Sequence, residues 1–227
     1  MNRGQSTKAA PSPPTAPDLP EALEPLIDAP EELRGLILEG RSLQGLDLSG
    51  RVAHDVRFVD SRLDDVDISA AEARGLALRD AAVEQGSWAG LNAEAARMER
   101  VELRNVRLTG AAFPTASLTD VAFVGCRIDL VSFRFCELLN VHFDECRLEE
   151  ADFYEARLTS VLLTGCDLTR ASLANATFAR SELRGCRLDA IGNPERLRGT
   201  RMPMADVLQA ADVLAAAVGI EIAEPPA

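Results

Sequence analysis

The chain has 227 residues, of which 47% are hydrophobic and only 4% aromatic, and a formal net charge of −12. An acidic surface argues against nonspecific binding to nucleic acid or to anionic membranes, both of which need clustered basic side chains. No apolar run is long enough to span a bilayer, and no apolar segment follows Met1, so no secretory signal is visible and a cytoplasmic location is expected.

Residues 1–17 are rich in Pro, Ala and Ser and are expected to form a disordered tail. Residues 18–35 are acidic, with Leu19, Leu23, Leu26 and Leu33 interspersed. This composition predicts a short helix or an irregular cap over whatever follows.

From Leu38 to Leu188, every fifth residue is apolar in unbroken phase, as in Leu43, Leu48, Phe58, Leu63 and Ile68. Neither a helix nor a plain strand keeps this period, so the pattern means a repeat architecture. Two residues before each of these positions sits a smaller side chain, usually Ala, Val or Cys. Residues two apart on an extended chain point the same way, so each unit sends one small and one large side chain inward. Arg41, Arg51 and Ser61 break this second column, and Gly86 and Ser181 weaken it. Gly40, Gly45, Gly50, Gly75 and Gly90 fall at the fifth place of their units and fit a tight turn there.

Segments such as Ala151-Asp152-Phe153, Cys166-Asp167-Leu168 and Ala176-Thr177-Phe178 resemble the units of the pentapeptide repeat family, Ala-(Asp/Asn)-Leu-x-x. The resemblance covers residues 36–192. It implies an all-β solenoid, a right-handed quadrilateral β-helix in which twenty residues complete one coil, of about seven to eight coils and roughly 35–40 Å long. On that geometry Phe113, Phe133 and Phe153 stack in one column with Leu173 beyond, and Phe123 stacks on Phe143. Ala53, Ala73 and Ala93 leave one side thinly filled, and Trp88, in a column of Leu and Ile, is expected to bulge outward. Residues 193–227 leave the phase. Pro203 opens a helical pattern of Met204, Val207, Leu208, Ala211, Leu214 and Val218 that Gly219 stops, with a short strand expected at Ile220–Ile222. This C-terminal helix is read as a capping α-helix that also offers a route to a homodimer, leaving monomer and dimer open.

No metal, cofactor or catalytic function is expected. The five cysteines lie on the small inward column, where a buried thiol acts as a small hydrophobe. They lack the paired spacing of zinc ligands. His54 and His142 fall about four coils apart, too far for one site, and no phosphate loop or dinucleotide fingerprint is present. Two surface features remain. Leu130, Phe135, Leu139 and Tyr154 fall at outward positions within two coils, an apolar cluster that is a contact candidate. Asp144, Glu145, Glu149, Glu150, Asp152 and Glu155 form an acidic belt over the next coil that would steer a basic partner.

The favoured reading is a non-catalytic interaction scaffold with an unknown protein partner. The alternative implied by the resemblance is a DNA-mimicking, gyrase-binding protein of the fluoroquinolone-resistance type. The uninterrupted phase and terminal helix resemble mycobacterial members. The absence of insertions between Leu38 and Leu188 departs from the looped, plasmid-borne ones. Between residues 36 and 192 there are 25 acidic residues against 18 arginines, a modest bias for a charge mimic. Arginine almost to the exclusion of lysine, with abundant alanine, points to a bacterial source.

Overall fold

The five-residue period becomes geometry at the last residue of each unit. In the computed structural model, which describes residues 10–223, all thirty-two positions at multiples of five from Gly35 to Ala190 have φ between +48° and +73°. This is the left-handed region, where an L side chain crowds the following carbonyl oxygen. Glycine enters it freely and Asp and Asn tolerate it, which explains why Asp55, Asp60, Asn105 and Asn140 stand at these places. At two corners of most coils a β-turn bond closes the bend. One example runs from the Ala71 N–H to the Ile68 carbonyl (3.2 Å), with left-handed Ala70 in the third place of the turn.

Four such corners bring the chain back onto itself after twenty residues. Phe58 lies beside Leu78, Leu78 beside Met98, Met98 beside Leu118, and Leu118 beside Leu138, all in parallel register. The strands are β1 (Glu24–Leu26), β2 (Ile37–Glu39), β3 (Arg41–Gln44), β4 (Arg57–Asp64), β5 (Ala77–Glu84) and β6 (Arg97–Arg104). They continue with β7 (Ser117–Val124), β8 (Glu137–Asp144), β9 (Arg157–Thr159), β10 (Leu162–Thr164), β11 (Thr177–Ala179) and β12 (Glu182–Arg184). In β4 to β8 two consecutive sides of the coil join into one strand of eight residues, bent at a left-handed residue. The other two sides meet their neighbours through single bridges such as Asp67 to Ser87 and Glu72 to Asn92. Taking the coil of β4, side one is 57–59, side two 61–64, side three 66–69 and side four 71–74. The result is a four-sided parallel β-solenoid of about eight coils.

The interior is made of side-chain columns. Phe133 is stacked between Phe113 and Phe153 with ring centroids 5.9 and 5.3 Å away, and Phe123 stacks on Phe143 at 4.9 Å. Phe143 also meets Phe133 edge-on at 6.1 Å, so the two columns interlock across the core. Each ring contributes about 1.5–3 kcal/mol through its burial. Trp88 does not bulge outward: it is only 1% exposed. Beside it the adjoining column holds only Ala53, Ala73 and Ala93 and Gly86 has no Cβ, and these small residues leave interior volume for an indole. Ser61 and Ser181, which interrupt the small apolar column, are fully buried without penalty. Each hydroxyl reaches a carbonyl twenty-three residues back, Leu38 at 3.2 Å and Leu158 at 3.3 Å.

The N-terminal end resolves the alternatives left open above. Residues 18–35 hold no helix. Instead β1 pairs in parallel with β3, placing Leu26 beside Leu43 and covering the sheet edge, while Leu33 is buried. Of the stretch read as a disordered tail, residues 1–9 lie outside the described residues, but 10–17 lie along the rod and bond to it. Successive prolines hold that backbone extended, which lowers the entropy lost on docking. After Asn193 (φ +59°) and a 3₁₀ turn at Pro194–Leu197, the helix that begins after Pro203 breaks at Ala210. It forms α1 (Met204–Gln209) and α2 (Ala211–Ala217). Gly219 turns left-handed as a stop, and Ile220 and Ile222 are exposed rather than in a strand.

Candidate interaction surface

Side four of the coil at 131–134 is bounded by two large apolar corner residues, Leu130 (φ +59°) and Phe135 (φ +60°). A corner residue cannot point inward, so both are exposed, at 56% and 45%. One coil further, the Phe135 N–H donates to the Tyr154 carbonyl (2.9 Å), which brings the two rings edge to face with centroids 5.4 Å apart. The Arg134 guanidinium lies 4.6 Å from the Tyr154 centroid and 5.9 Å from that of Phe135, and Asp152 holds it at 3.3 Å. The cluster is therefore amphipathic: two aromatic rings, an arginine plane and a carboxylate at one edge of the rod. Such a mixture of Tyr, Phe and Arg is the composition of protein contact surfaces. Leu139 is also 45% exposed but stands on β8, on side one beyond the Phe135 corner.

The acidic belt is split by the same geometry. Glu150 and Glu155 are corner residues one coil above Leu130 and Phe135, so they flank the aromatic pair together with Asp152. Asp144 ends side two and Glu145 turns the next corner, which puts them on the far side of the rod; Glu149 lies on side three. Arginines offset part of the charge: Arg170 pairs with Glu150 at 2.6 Å and Arg147 with Glu149 at 3.4 Å. These pairs are exposed and contribute little to stability. Side three carries the register column Arg107, Arg127, Arg147, Asp167 and Arg187, with Asp129 and Asp189 paired into it.

Cys126, Cys146, Cys166 and Cys186 form one column, and each thiol points at a carbonyl twenty-three residues back, 3.3–3.5 Å away. Cys136 on another side does the same to Phe113 at 2.8 Å, and burial pushes its pKa up to about 12. Among the described residues no group of His, Cys, Asp and Glu is arranged to hold a metal ion.

A family model described as a pentapeptide repeat region matches residues 96–173 and 137–192. Residues 96–192 are thus a pentapeptide repeat region. No curated protein sequence matches it. Among solved structures of pentapeptide repeat proteins, it is similar to a treated form of QnrB1, a plasmid-mediated fluoroquinolone resistance protein, at 16% identity. That match covers 85% of this chain and 92% of the other, with a TM-score of 0.46. HetL, involved in heterocyst differentiation regulation in the cyanobacterium Nostoc, is similar at 16% identity over 75% of this chain and 88% of its own, TM-score 0.34. Rfr23 from the cyanobacterium Cyanothece is similar at 13% identity over 72% and 88%, TM-score 0.31.

A third surface of this pentapeptide repeat rod escaped sequence reasoning. On side two, His142 is half-buried rather than free in solvent, because residues 12–17 pass over it. Its pKa is lowered, mainly by burial and also by Arg184. A bond to the Ser12 backbone and the charge of Asp144 oppose the shift. The available signal was the pair of small outward residues Ala82 and Ala122 in the column of His142, opposite a run of prolines.

Proposed function

We propose that this chain is a non-catalytic scaffold that binds a protein partner at the Phe135–Tyr154 corner. The observation that carries this reading is the edge-to-face aromatic pair with Arg134 against both rings, exposed at a left-handed corner. Every corner of the coil is left-handed, so this corner differs by its side chain, which costs about 1–2 kcal/mol relative to glycine there. Glu150, Asp152 and Glu155 beside the pair favour a partner with basic residues at its rim, and Leu130 and Leu139 widen the apolar footprint to either side. Affinity capture from the native cytoplasm with wild-type protein and with Phe135→Asp tests this. A partner retained by the wild type and lost in the variant supports it, and identical captured sets refute it.

The alternative, a DNA-mimicking gyrase binder, draws on the net charge of −12. Against it, arginines pair with acids along the rod, and Arg107, Arg127, Arg147 and Arg187 break up the acidic residues of side three. A gyrase supercoiling assay decides: inhibition or drug protection at micromolar protein favours the alternative, and neither effect removes it. Exposed Met204, Leu208 and Val218 on and beside the terminal helices support a homodimer through that end, which light scattering would detect.

A further inference from the structure

The segment 10–20 reads Ala-Pro-Ser-Pro-Pro-Thr-Ala-Pro-Asp-Leu-Pro, with proline at every third residue: Pro11, Pro14, Pro17 and Pro20. Three residues per turn is the period of the polyproline II helix. The structure obeys it over the first three: Pro11, Pro14 and Pro17 are half-buried against the rod while Ser12, Pro13, Thr15 and Ala16 are exposed. The segment runs opposite to the growth of the coils. Pro13 lies at the level of Asn140, Thr15 at Asp120, Asp18 at Asp80, and Glu24 begins β1 beside Gly40. Residues 13–18 thus cross about three coils and residues 13–24 about five, a rise of roughly 24 Å at the strand spacing, well within the reach of an extended chain of this length.

The rod meets this segment with a built groove. Its floor is mixed: Val101, Ala122, Val124 and Leu162 line it with His142, Glu102, Arg104, Asp144 and Thr164 also line it, and a cavity of about 340 Å³ remains between floor and strap. Its rim is a column of corner side chains that bond to main chain rather than to side chains. Asp120 accepts from the Thr15 N–H (3.0 Å), Asn140 donates to the Pro13 carbonyl (3.5 Å), and Asp80 accepts from the Asp18 N–H (3.2 Å). These rim groups are themselves fixed. Arg100 grips both oxygens of Asp80 at 2.7 and 2.6 Å, and Asn140 donates to Asp120 at 2.5 Å. The groove thus seats every third proline, with the His142 ring among its lining, and bonds the intervening main chain, the contacts a preformed polyproline II segment can use.

We propose that side two of the rod is a recognition groove for proline-rich polyproline II segments with a Pro-x-x-Pro spacing, and that residues 11–17 are its tethered, displaceable occupant. Side two lies opposite side four, which carries Tyr154, and the groove does not depend on the Phe135–Tyr154 pair. The tether supplies the occupant at an effective concentration of about 1 mM, so an external segment binds only when it outcompetes the strap or when the strap is weakened.

The test uses the full chain and a fluorescent peptide of residues 10–20. In the Pro14→Gly/Pro17→Gly protein the strap loses its rigidity and two of its seated rings while the groove is untouched. The peptide is expected to bind this variant saturably and at least about tenfold more tightly than wild type, the factor that some 1.4 kcal/mol of lost strap docking would release. A peptide carrying the same two glycines is expected not to bind, and adding Asp120→Ala to the protein is expected to weaken binding. No saturable binding up to about 1 mM peptide, the tether's own effective concentration, overturns the proposal, as does equal binding to wild type and variant. Hydrogen exchange on the unmodified protein gives an independent reading. The Thr15 and Asp18 amides are expected to exchange more slowly than in the free peptide, and equal rates overturn the proposal.

Discussion

Phe133 and Phe135 are two residues apart and chemically identical, yet the coil gives them opposite tasks. Phe133 is fully buried, stacked between two rings and met edge-on by a third. Phe133→Ala removes that ring from a core whose backbone is pinned by the coils above and below, so little collapse can refill the space. The expected cost is near the top of the about 3–5 kcal/mol range for a buried phenylalanine. Phe135→Gly has three smaller consequences. It relieves the left-handed crowding, about 1–2 kcal/mol. It adds unfolded-chain entropy worth roughly 0.5–1 kcal/mol. It loses the contact with Tyr154, about 0.5–1.5 kcal/mol. The terms cancel to within about 1 kcal/mol. Urea unfolding followed by far-ultraviolet circular dichroism reads both variants on one scale, and affinity capture reads the partner. The expected pattern is a large midpoint drop with Phe133→Ala, and near-wild-type stability with loss of partner for Phe135→Gly. If Phe135→Gly destabilises as much as Phe133→Ala, Phe135 is a structural residue and the proposed contact surface is wrong.

Three further outcomes follow from the same geometry. Gly86 has φ +77°, and an added Cβ would stand 2.8 Å from the Val66 backbone nitrogen, whereas Gly50 opens onto free space. Gly86→Ala is therefore expected to cost about 2 kcal/mol or more and Gly50→Ala only about 1 kcal/mol, measurable as urea midpoints. Burial under the strap lowers the His142 pKa, against the Ser12 bond and Asp144 and with Arg184, and among the described residues its Nε2 has no hydrogen-bond partner. The docked state thus binds fewer protons than the released one, so docking is strongest above the ordinary histidine range and weakens as pH falls through it. Exchange of the Thr15 amide is expected to show greater protection at pH 8 than at pH 5, and a pH-independent protection factor would contradict the assignment. Among the cysteines only Cys186 is partly exposed, so alkylation of the native protein is expected to modify it first and Cys136 last, by mass spectrometry of the peptides.

The rod was legible from the sequence because its core is a strict one-dimensional pattern. A grid of large residues with small ones two places before leaves only one way to bury both, and it gave the aromatic stacking partners by number. What misled were positions where the pattern holds but the local volume differs. Trp88 sits in an apolar phase that says nothing about the small neighbours that admit it. Ser61 and Ser181 look like breaks until the carbonyl that each hydroxyl reaches is seen. The surface was less legible, for a geometric reason. Outward residues adjacent in sequence lie on different sides, so the acidic run from Asp144 to Glu155 reads as a belt but divides among sides two, three and four. The strap was missed because proline-rich composition signals an unfolded segment unless its receiving groove is known, and that groove is assembled from residues twenty apart.

The fourfold coil also makes this chain a rotary index. Removing twenty residues from the middle shortens the rod by one step and leaves every outer column aligned with its continuation, since side chains twenty apart share a register. Removing five keeps the grid in phase, so the core can still form, yet swings everything downstream a quarter turn about the axis. Deletions of five, ten and fifteen residues would thus present one unchanged downstream surface at three azimuths relative to the N-terminal half.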